Sequence, residues 1–425
     1  MEISNNRIKV TSMKALAEFF LYFSLVILSC LTAGCTSEVD TIGGTPETPE
    51  NPQANDPNRR SVVISLQNKL ILVNGTPESR TITRDGIAEE DENRIESFDI
   101  YAFGSDKEEG PYTFQERFSY RSDAGTLPAG TSPLELKADE AAGKVNVVFY
   151  PRKGLFTKFY CVANQTEMDD AAGNTYTNYT PLQQSSQPQS SVPGDMVTSP
   201  GTPTESDFVK LNTPLLNSTG FNADILLAPL PMSGANSQPT DLREYSMGTY
   251  VRLNVSLTRA VARFDIVNDA TKSHFTITDI SMGNGRQGVT LFPIRPTGDV
   301  PATNGQLITY SYRLFDGLNA NAGTTTKAFY CYPCKAIDAG FLILKGLYAM
   351  NLTDEKKEVS YRIPFERVTD GDGSLIEINH NHRYTVQITE ADPFELTANI
   401  RLVDWETGDY IDDYEPDNGL ETIAV

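Results

Sequence analysis

Basic and metal-binding side chains are scarce in this sequence. It has three His and one Trp in 425 residues, and 35 Lys and Arg stand against 56 Asp and Glu, which gives a formal net charge of −21. An acidic surface repels nucleic acid and anionic lipid headgroups. So few histidines argue against a histidine-rich metal site. The composition therefore predicts neither nucleic-acid binding nor a metal or other cofactor.

Cysteine is also rare. The five residues are Cys30, Cys35, Cys161, Cys331 and Cys334, and the first two lie in the leader. The three that remain are too few for a disulfide-built scaffold. The last two have the spacing of a redox pair, but they follow an apolar strand-like run and lack the strand-to-helix setting in which such pairs work. They are interpreted as a structural disulfide or as two buried thiols.

Signals of catalysis are missing as well. No Gly-rich phosphate loop, nucleophile elbow or pair of acids stands out. His380 and His382 are two residues apart without a third ligand nearby, so a turn is favoured over a metal site. Asp370–Ser374 begins like a calcium loop, but Leu375 and Asn381 stand where Gly and Glu are needed, and a β-turn is favoured. The chain is predicted not to be an enzyme, with no catalytic residue.

The longest apolar run lies in the leader. Residues 1–34 are predicted to be a lipoprotein signal peptide, since a basic start precedes Phe19–Leu31, which is too short to span a membrane. The run ends in Leu31-Thr32-Ala33-Gly34-Cys35, which resembles a bacterial lipobox. Cys35 is therefore the predicted lipidation site, and it would attach the chain to lipid of the outer membrane.

Composition divides the rest of the chain. Residues 35–60 are rich in Pro, Gly, Asn and Thr and predict a flexible tether. Residues 61–240 predict an N-terminal β-sandwich with a long irregular insertion at 165–222. Residues 241–425 predict a C-terminal β-sandwich with an acidic tail at 409–425. The fold class is all-β, with two β-sandwich domains in tandem.

Compact apolar runs, and alternation of apolar and polar residues at 251–258, carry the strand predictions. Val251, Leu253, Val255 and Leu257 alternate with polar residues, as in a strand with one buried face. A short helical turn is the one helix expected, near Glu135–Ala142. Other strands are predicted at 145–149, 159–162, 263–267, 275–281, 307–315, 327–332, 341–349, 358–365, 383–389 and 395–403.

The first strand is set apart from the others. An apolar segment, Ser61–Val73, is followed by a Thr-rich joint with Arg80 and Arg84. An acidic patch, Glu89–Glu92, and a second strand, Ile95–Phe103, come next. A strand tied to its domain by an exposed, arginine-bearing joint can be cut away. The region 61–84 is therefore interpreted as a removable placeholder strand, and the chain as a building block of a surface fibre.

Several short motifs, in their order and spacing, resemble the fimbrillin family of the Bacteroidales type V pilus. The resemblance spans most of the chain after the leader. The motifs are the lipobox at Cys35, Ala88-Glu89-Glu90 with Ile95–Phe103, Phe159–Asn164, Pro231–Gly234, Val255–Arg263, Asn381–Val386 and Val403-Asp404-Trp405.

The resemblance implies two transthyretin-like sandwiches, export as a lipoprotein, and cleavage in the joint by an arginine-specific protease. Arg84 is the matching position and Arg80 the second choice, while ordinary exposed loop arginines are the alternative. It also implies that other fimbrial subunits are partners and that a C-terminal strand is donated to the next subunit. Leu420, Ile423 and Val425 are the residues proposed to anchor that strand, and a frayed acidic tail is the alternative.

The function predicted from these features is that of a structural or accessory fimbrial subunit. It would be displayed on the outer membrane as a lipoprotein, assembled by protease-triggered donor-strand exchange, and then located in the fimbrium, supporting adhesion. The alternative is a surface lipoprotein that does not polymerise. Such a protein would be an anchor, a tip adhesin, or a binder of glycans or host protein through residues 165–222.

Overall fold

The structure is a computed structural model of the chain. It describes residues 53–54, 56–67, 71–72, 89–123, 127–139, 144–171, 173–177, 204–217, 225–243, 250–292, 306–315, 321–351, 354–367, 374–405 and 421–424.

Strands dominate the described residues, and the all-β prediction is confirmed. Most strands contain the β-branched and aromatic residues that fit a pleated, half-buried surface. The strands of the first part are β1 (Val62–Leu66), β2 (Ile71–Leu72), β3 (Arg94–Ile95), β4 (Ser97–Ser105), β5 (Thr113–Arg121), β6 (Thr131–Pro133), β7 (Glu135–Asp139), β8 (Lys144–Phe149), β9 (Phe156–Ala163), β10 (Glu167–Asp169), β11 (Thr175–Thr177), β12 (Met232–Asp241), β13 (Val251–Val255) and β14 (Thr258–Arg259).

The second part continues the pattern. Its strands are β15 (Ala262–Asp269), β16 (Phe275–Gly283), β17 (Gly285–Arg286), β18 (Leu307–Ile308), β19 (Arg313–Leu314), β20 (Ala322–Cys331), β21 (Phe341–Tyr348), β22 (Lys357–Pro364), β23 (Glu366–Arg367), β24 (Ser374–Leu375), β25 (His382–Ala391), β26 (Leu396–Asp404) and β27 (Glu421–Ala424). The described helices are short: α1 (Glu205–Phe208), α2 (Ala270–Ser273), and 3-10 turns at Asp91–Asn93 and Ala336–Asp338.

The first two large sheets share one hydrophobic core. A four-stranded sheet has the order β13-β1-β8-β7, and a six-stranded sheet has the order β14-β12-β9-β4-β5-β6. Alternate residues of both sheets meet in this core, as in two packed sheets. It includes Ile64 of β1, Phe118 of β5, Phe149 of β8 and Phe159 of β9.

Two further sheets enclose the second core. A five-stranded sheet has the order β20-β15-β25-β26-β27, and a four-stranded sheet has the order β19-β16-β21-β22. Strand β21 shows the clean alternation of half-buried and buried residues expected of a sheet with one wet face. Phe264, Phe275, Tyr384 and Trp405 are among the large side chains of this core.

Several local expectations differ from the structure. The strand predicted at 307–315 is two short strands, because β18 pairs with β17 and β19 with β16. The strand predicted at 61–73 ends at Leu66, and Ile71–Leu72 pair with β3 instead. Residues 135–139, expected to form a helical turn, form strand β7, because Glu135–Asp139 pairs with β8. Strand β13, placed by sequence after the boundary at 240/241, pairs in parallel with β1 of the first sheet. The boundary itself remains a prediction.

The described parts of the 165–222 insertion are better packed than the sequence suggested. Phe208 of α1 and Met168 of β10 are fully buried against Tyr101 and Phe103, on the opposite face of the six-stranded sheet from the first core. Backbone hydrogen bonds then join the insertion to the second part of the chain, for example from Thr213 N–H to Val289 O at 2.8 Å. These segments therefore pack as part of the fold.

Candidate functional site

The strand predicted to be removable lies in the interior of its sheet. Strand β1 pairs antiparallel with β8 on one side and parallel with β13 on the other. In the middle of β1, Ile64 lies opposite Val147 of β8 and Leu253 of β13. The first strand therefore joins two elements that are about a hundred residues apart in the sequence.

Apolar side chains hold β1 in place. Val62, Ile64 and Leu66 point into the first core and are 0% exposed, while Val63 packs on the other face against Val148 and Tyr150. Burying each of the three inward side chains stabilises the fold by about 1.5–3 kcal/mol. We call the space between β8 and β13 that these side chains fill the groove.

Polar contacts fix both ends of β1. The Arg59 guanidinium donates to Glu116 at 2.9 Å and to the Tyr150 carbonyl at 2.6 Å. At the other end, Gln67 N–H donates to the Val255 carbonyl at 3.0 Å. Arg59 is only 14% exposed at its side chain. A protease would therefore reach it less easily than an arginine in an open loop.

Removing β1 would open two strand edges at once. Among the described strands, β13 is hydrogen-bonded only to β1, and β8 would keep only β7. Each exposed edge presents unpaired N–H and C=O groups, which favour pairing with another strand. The groove is thus shaped to take a strand with apolar residues at every second position.

The predicted cleavage positions, Arg80 and Arg84, lie outside the described residues, as does Cys35. The described residues nearest the joint are Ile71–Leu72 of β2 and Glu89. Strand β2 pairs in parallel with β3. The cleavage and lipidation assignments therefore remain predictions.

The acidic patch after the joint has a role that the sequence did not reveal. We call Glu89–Asn93 the acidic anchor. Glu92 is fully buried and accepts hydrogen bonds from Arg263 at 2.7 Å and from the Tyr330 hydroxyl at 2.6 Å. Arg263 lies in β15 and Tyr330 in β20. The anchor therefore attaches the start of the chain after the joint to the five-stranded sheet.

Further cations surround the acidic anchor. Lys327 lies 2.8 Å from Glu89 and 2.9 Å from Asp91, and the Arg259 guanidinium donates to Asn93 at 2.6 Å. Burial opposes the charge of Arg263, but hydrogen bonding to Asp265 and the charges of Asp265 and Glu92 raise the pKa of Arg263 above the ordinary arginine value. The guanidinium therefore stays charged. Burial raises the pKa of Glu92 above its ordinary value, and the charge of Arg263 and the Tyr330 hydrogen bond oppose that rise.

The aromatic ring of Trp405 completes this site. The Arg259 guanidinium carbon lies 4.9 Å from the ring centroid, and the Tyr330 ring stacks on the indole with centroids 6.1 Å apart. Arg259, Arg263 and Trp405 all belong to motifs quoted above for the family resemblance. The contacts of Arg259 and Arg263 with Glu89–Asn93 were missed, because no local pattern links residues more than 160 positions apart.

The proposed donor residues are only partly described. Ile423 lies in β27, which pairs antiparallel with β26 at the edge of the five-stranded sheet. Leu420 and Val425 lie outside the described residues. Segment 421–424 is thus paired within its own chain.

The cysteine pair is a pair of thiols in the structure. Cys331 and Cys334 are buried and not bonded to each other. Burial raises the pKa of Cys334 to about 12 and that of Cys331 well above its ordinary value. Since the thiolate is the reactive form, both are expected to be inert at neutral pH.

The two nearby histidines lie where the chain turns into β25. His380 is 7% exposed, and its carbonyl lies 2.7 Å from His382 Nδ1. The described residues contain no group of three potential metal ligands. They also contain no helix that is both long and apolar enough to cross a membrane.

His380 predicts a loss of stability in mild acid. Burial, helped by the charge of His382, lowers the pKa of His380 from 6.5 to about 4. Between pH 6.5 and pH 4 the unfolded chain binds more protons at this histidine than the folded chain does. The folded state therefore has its full stability, as far as His380 is concerned, above pH 6.5 and loses part of it as the pH falls to 4. The loss amounts to about 3 kcal/mol. The free energy of unfolding, measured in urea at pH values from 7 to 4.5, should depend less steeply on pH in His380→Gln than in the wild type. Equal pH dependence in the two proteins would contradict the assignment of this loss to His380.

No protein-family model and no curated protein matches the chain. Solved structures do resemble it at low identity. The C-terminally truncated tip fimbrial protein Mfa3 from Porphyromonas gingivalis is 14% identical, with a TM-score of 0.45, over 82% of this chain and 100% of that one. A fimbrial assembly protein from Parabacteroides distasonis is 12% identical, with a TM-score of 0.43, over 86% and 99%. The fimbrial anchor protein Mfa2 from Porphyromonas gingivalis is 9% identical, with a TM-score of 0.34, over 83% and 100%. These three structural neighbours of the chain are fimbrial proteins.

Proposed function

We propose that this chain is a subunit of a cell-surface fimbria that is exported as a lipoprotein and assembled by donor-strand exchange. One observation carries the proposal: β1 fills the centre of a sheet and is connected to the rest of the fold through the segment that holds Arg80 and Arg84. Acylation of Cys35 holds the unprocessed chain in the outer membrane. The proposal gives the chain no catalytic activity.

Cleavage after Arg84 is the step that starts assembly in this proposal. It separates residues 35–84, which include the acylated cysteine and β1, from the rest. The acidic anchor begins five residues later and keeps the new N-terminus on the five-stranded sheet through Glu92 and Arg263. Residues 35–84, with β1 and β2, then leave, and the groove between β8 and β13 is free for a strand from another subunit. Such head-to-tail contacts do not close on themselves and therefore build filaments.

A second role is favoured by the position of β27. Because segment 421–424 pairs with β26 of its own sheet, it would have to detach before it could enter a neighbour. A subunit that accepts a donor strand without giving this segment would occupy an end of the fimbria, as an anchor or a tip adhesin. A surface lipoprotein that neither accepts nor donates a strand, and so never polymerises, is the remaining form of this alternative.

The N-terminus of the protein on cells tests the proposal. Mass spectrometry of surface material should find a chain beginning at Asp85, or at Thr81 for the second site, in high-mass assemblies. The variant Arg80→Ala/Arg84→Ala should retain acylated Cys35 and stay out of assemblies. Arg94→Ala changes an arginine beyond the joint and should assemble normally. A wild-type chain that keeps Cys35 and is monomeric would overturn strand exchange.

A further inference from the structure

One contact of the placeholder region joins the first two large sheets. Arg59 lies three residues before Val62, the first residue of β1, and Glu116 lies in β5 of the six-stranded sheet. The Arg59 guanidinium donates to the Glu116 carboxylate at 2.9 Å, and the two side chains are only 14% and 12% exposed. A largely buried ion pair therefore lies at the end of the groove that holds Val62.

Glu116 pairs with no other cation in the described part of the chain. Its second oxygen accepts the Arg152 backbone N–H at 2.6 Å, and this contact brings no positive charge to the carboxylate. The Arg59 guanidinium also donates to the Tyr150 carbonyl at 2.6 Å. When residues 35–84 leave in the proposed mechanism, Arg59 leaves with β1. Glu116 then remains at the groove without its counter-charge.

The charge of Glu116 matters when a new strand fills the groove. Water would reach the carboxylate while the groove is empty, and an incoming strand would cover it again. Burying a carboxylate without a partner costs free energy, whereas a Lys or Arg at this place restores a charge-assisted hydrogen bond. The other end of the groove is less selective, because Gln67 is exposed there and bonds through its neutral amide to Asn254.

We propose that Glu116 selects the strand that enters the groove, so that the donor is a segment with a Lys or Arg at the place of Arg59. This inference rests on the proposed strand exchange and adds the chemistry of the partner. The donated strand would have apolar residues at every second position, as β1 has at Val62, Ile64 and Leu66. A basic residue would lie beyond the end that replaces Val62, and Glu116 would accept its hydrogen bond.

The C-terminal segment of this chain lacks the required cation. Residues 402–425 contain no Lys or Arg and eight Asp or Glu. Such a segment would bring charge of the same sign towards Glu116, and like charges repel. The inference therefore favours a donor of different sequence over a second copy of this chain.

Strand exchange with synthetic peptides tests this selection. The full-length chain in detergent would carry the recognition sequence of a site-specific protease in place of residues 81–84, so that cutting leaves β1 seated but no longer tethered. A fluorescent peptide of residues 56–72 should enter the cut chain but not the uncut one, as measured by fluorescence anisotropy. In competition with it, the Arg59→Gln peptide should bind about tenfold or more weakly than the unchanged peptide.

Matched controls assign the effect to Glu116. The Arg60→Gln peptide has the same change of charge at the next residue, whose Nε has no hydrogen-bond partner in the described part of the chain. It should bind like the unchanged peptide. The Glu116→Gln chain should lose most of its preference for the unchanged peptide over the Arg59→Gln peptide. A peptide of residues 409–425 should compete poorly for the wild-type chain.

The outcomes distinguish this inference from the proposed function. If the peptide of residues 56–72 does not enter the cut chain, strand exchange itself is wrong and selection by Glu116 falls with it. If that peptide enters and the Arg59→Gln peptide binds equally well, strand exchange stands and the selection is wrong. The selection is also wrong if the preference persists in the Glu116→Gln chain. Equal competition by residues 409–425 would overturn the preference for a donor of different sequence.

Discussion

The substitution Ile64→Asp should remove most of the stability of the first part of the chain. Ile64 is 0% exposed at the middle of β1, and its replacement loses apolar burial and places a carboxylate in a core without a cation. The free energy of unfolding should fall by about 4 kcal/mol or more, against about 5–15 kcal/mol for a typical domain. Urea unfolding at pH 7 measures this loss.

The neighbouring residue provides the control. Ser65 points to the opposite face of β1, where Asn146 and Asn254 are its partners across the strands. Because side chains alternate along a strand, Ser65→Asp should change stability by less than about 1 kcal/mol. Equal losses for the two variants would show that β1 is not seated in the groove in the register described here.

Local patterns in the sequence predicted part of this strand and its neighbour. The apolar segment Ser61–Val73 was predicted as one strand, and its residues 62–66 form β1, whereas Ile71–Leu72 form β2 and pair with β3. The alternation at Val251, Leu253 and Val255 predicted β13, whose apolar residues face the first core. Which side of such a strand is buried is a local property that five residues reveal.

Pairing between distant strands could not be predicted in the same way. Strand β13 follows the predicted boundary and yet lies beside β1, because hydrogen bonds between strands depend on the register of the whole fold and not on local propensity. The insertion shows the same limit. Its composition is polar, but Met168 and Phe208 pack on the aromatic face of β4 and bury its described segments there.

The contacts of the acidic anchor are the part of the structure that the sequence predicted least. Glu89–Glu92 looked like an exposed charge patch, and Arg259 and Arg263 were visible only as parts of a resemblance. Six acidic and basic residues in two separate segments carry no sign of mutual contact, since any of them could be solvated. Only the fold shows that Glu92 is fully buried and that its cation, Arg263, is 1% exposed.

Breaking this buried pair should be as damaging as disrupting the groove. Glu92→Ala leaves the Arg263 guanidinium buried without one of its two buried carboxylate partners and removes the acceptor of the Tyr330 hydroxyl. The expected loss is about 3–5 kcal/mol in the free energy of unfolding. Glu90→Ala, at the exposed position two residues earlier in the same segment, should change it by less than about 0.5 kcal/mol.

A double-mutant cycle shows whether the loss comes from the pair itself. Arg263→Met leaves the buried Glu92 carboxylate without its guanidinium partner and removes a guanidinium from Asp265, which keeps Arg383 at 3.3 Å, so it should destabilise at least as much as Glu92→Ala. Glu92→Met/Arg263→Met removes both charges of the pair and should cost clearly less than the sum of Glu92→Met and Arg263→Met, because an unpaired buried charge is worse than none. Additive losses would mean that the two residues act separately. In that case the acidic anchor could not hold the processed N-terminus through this contact, and cleavage at Arg84 would free more of the chain than β1 alone.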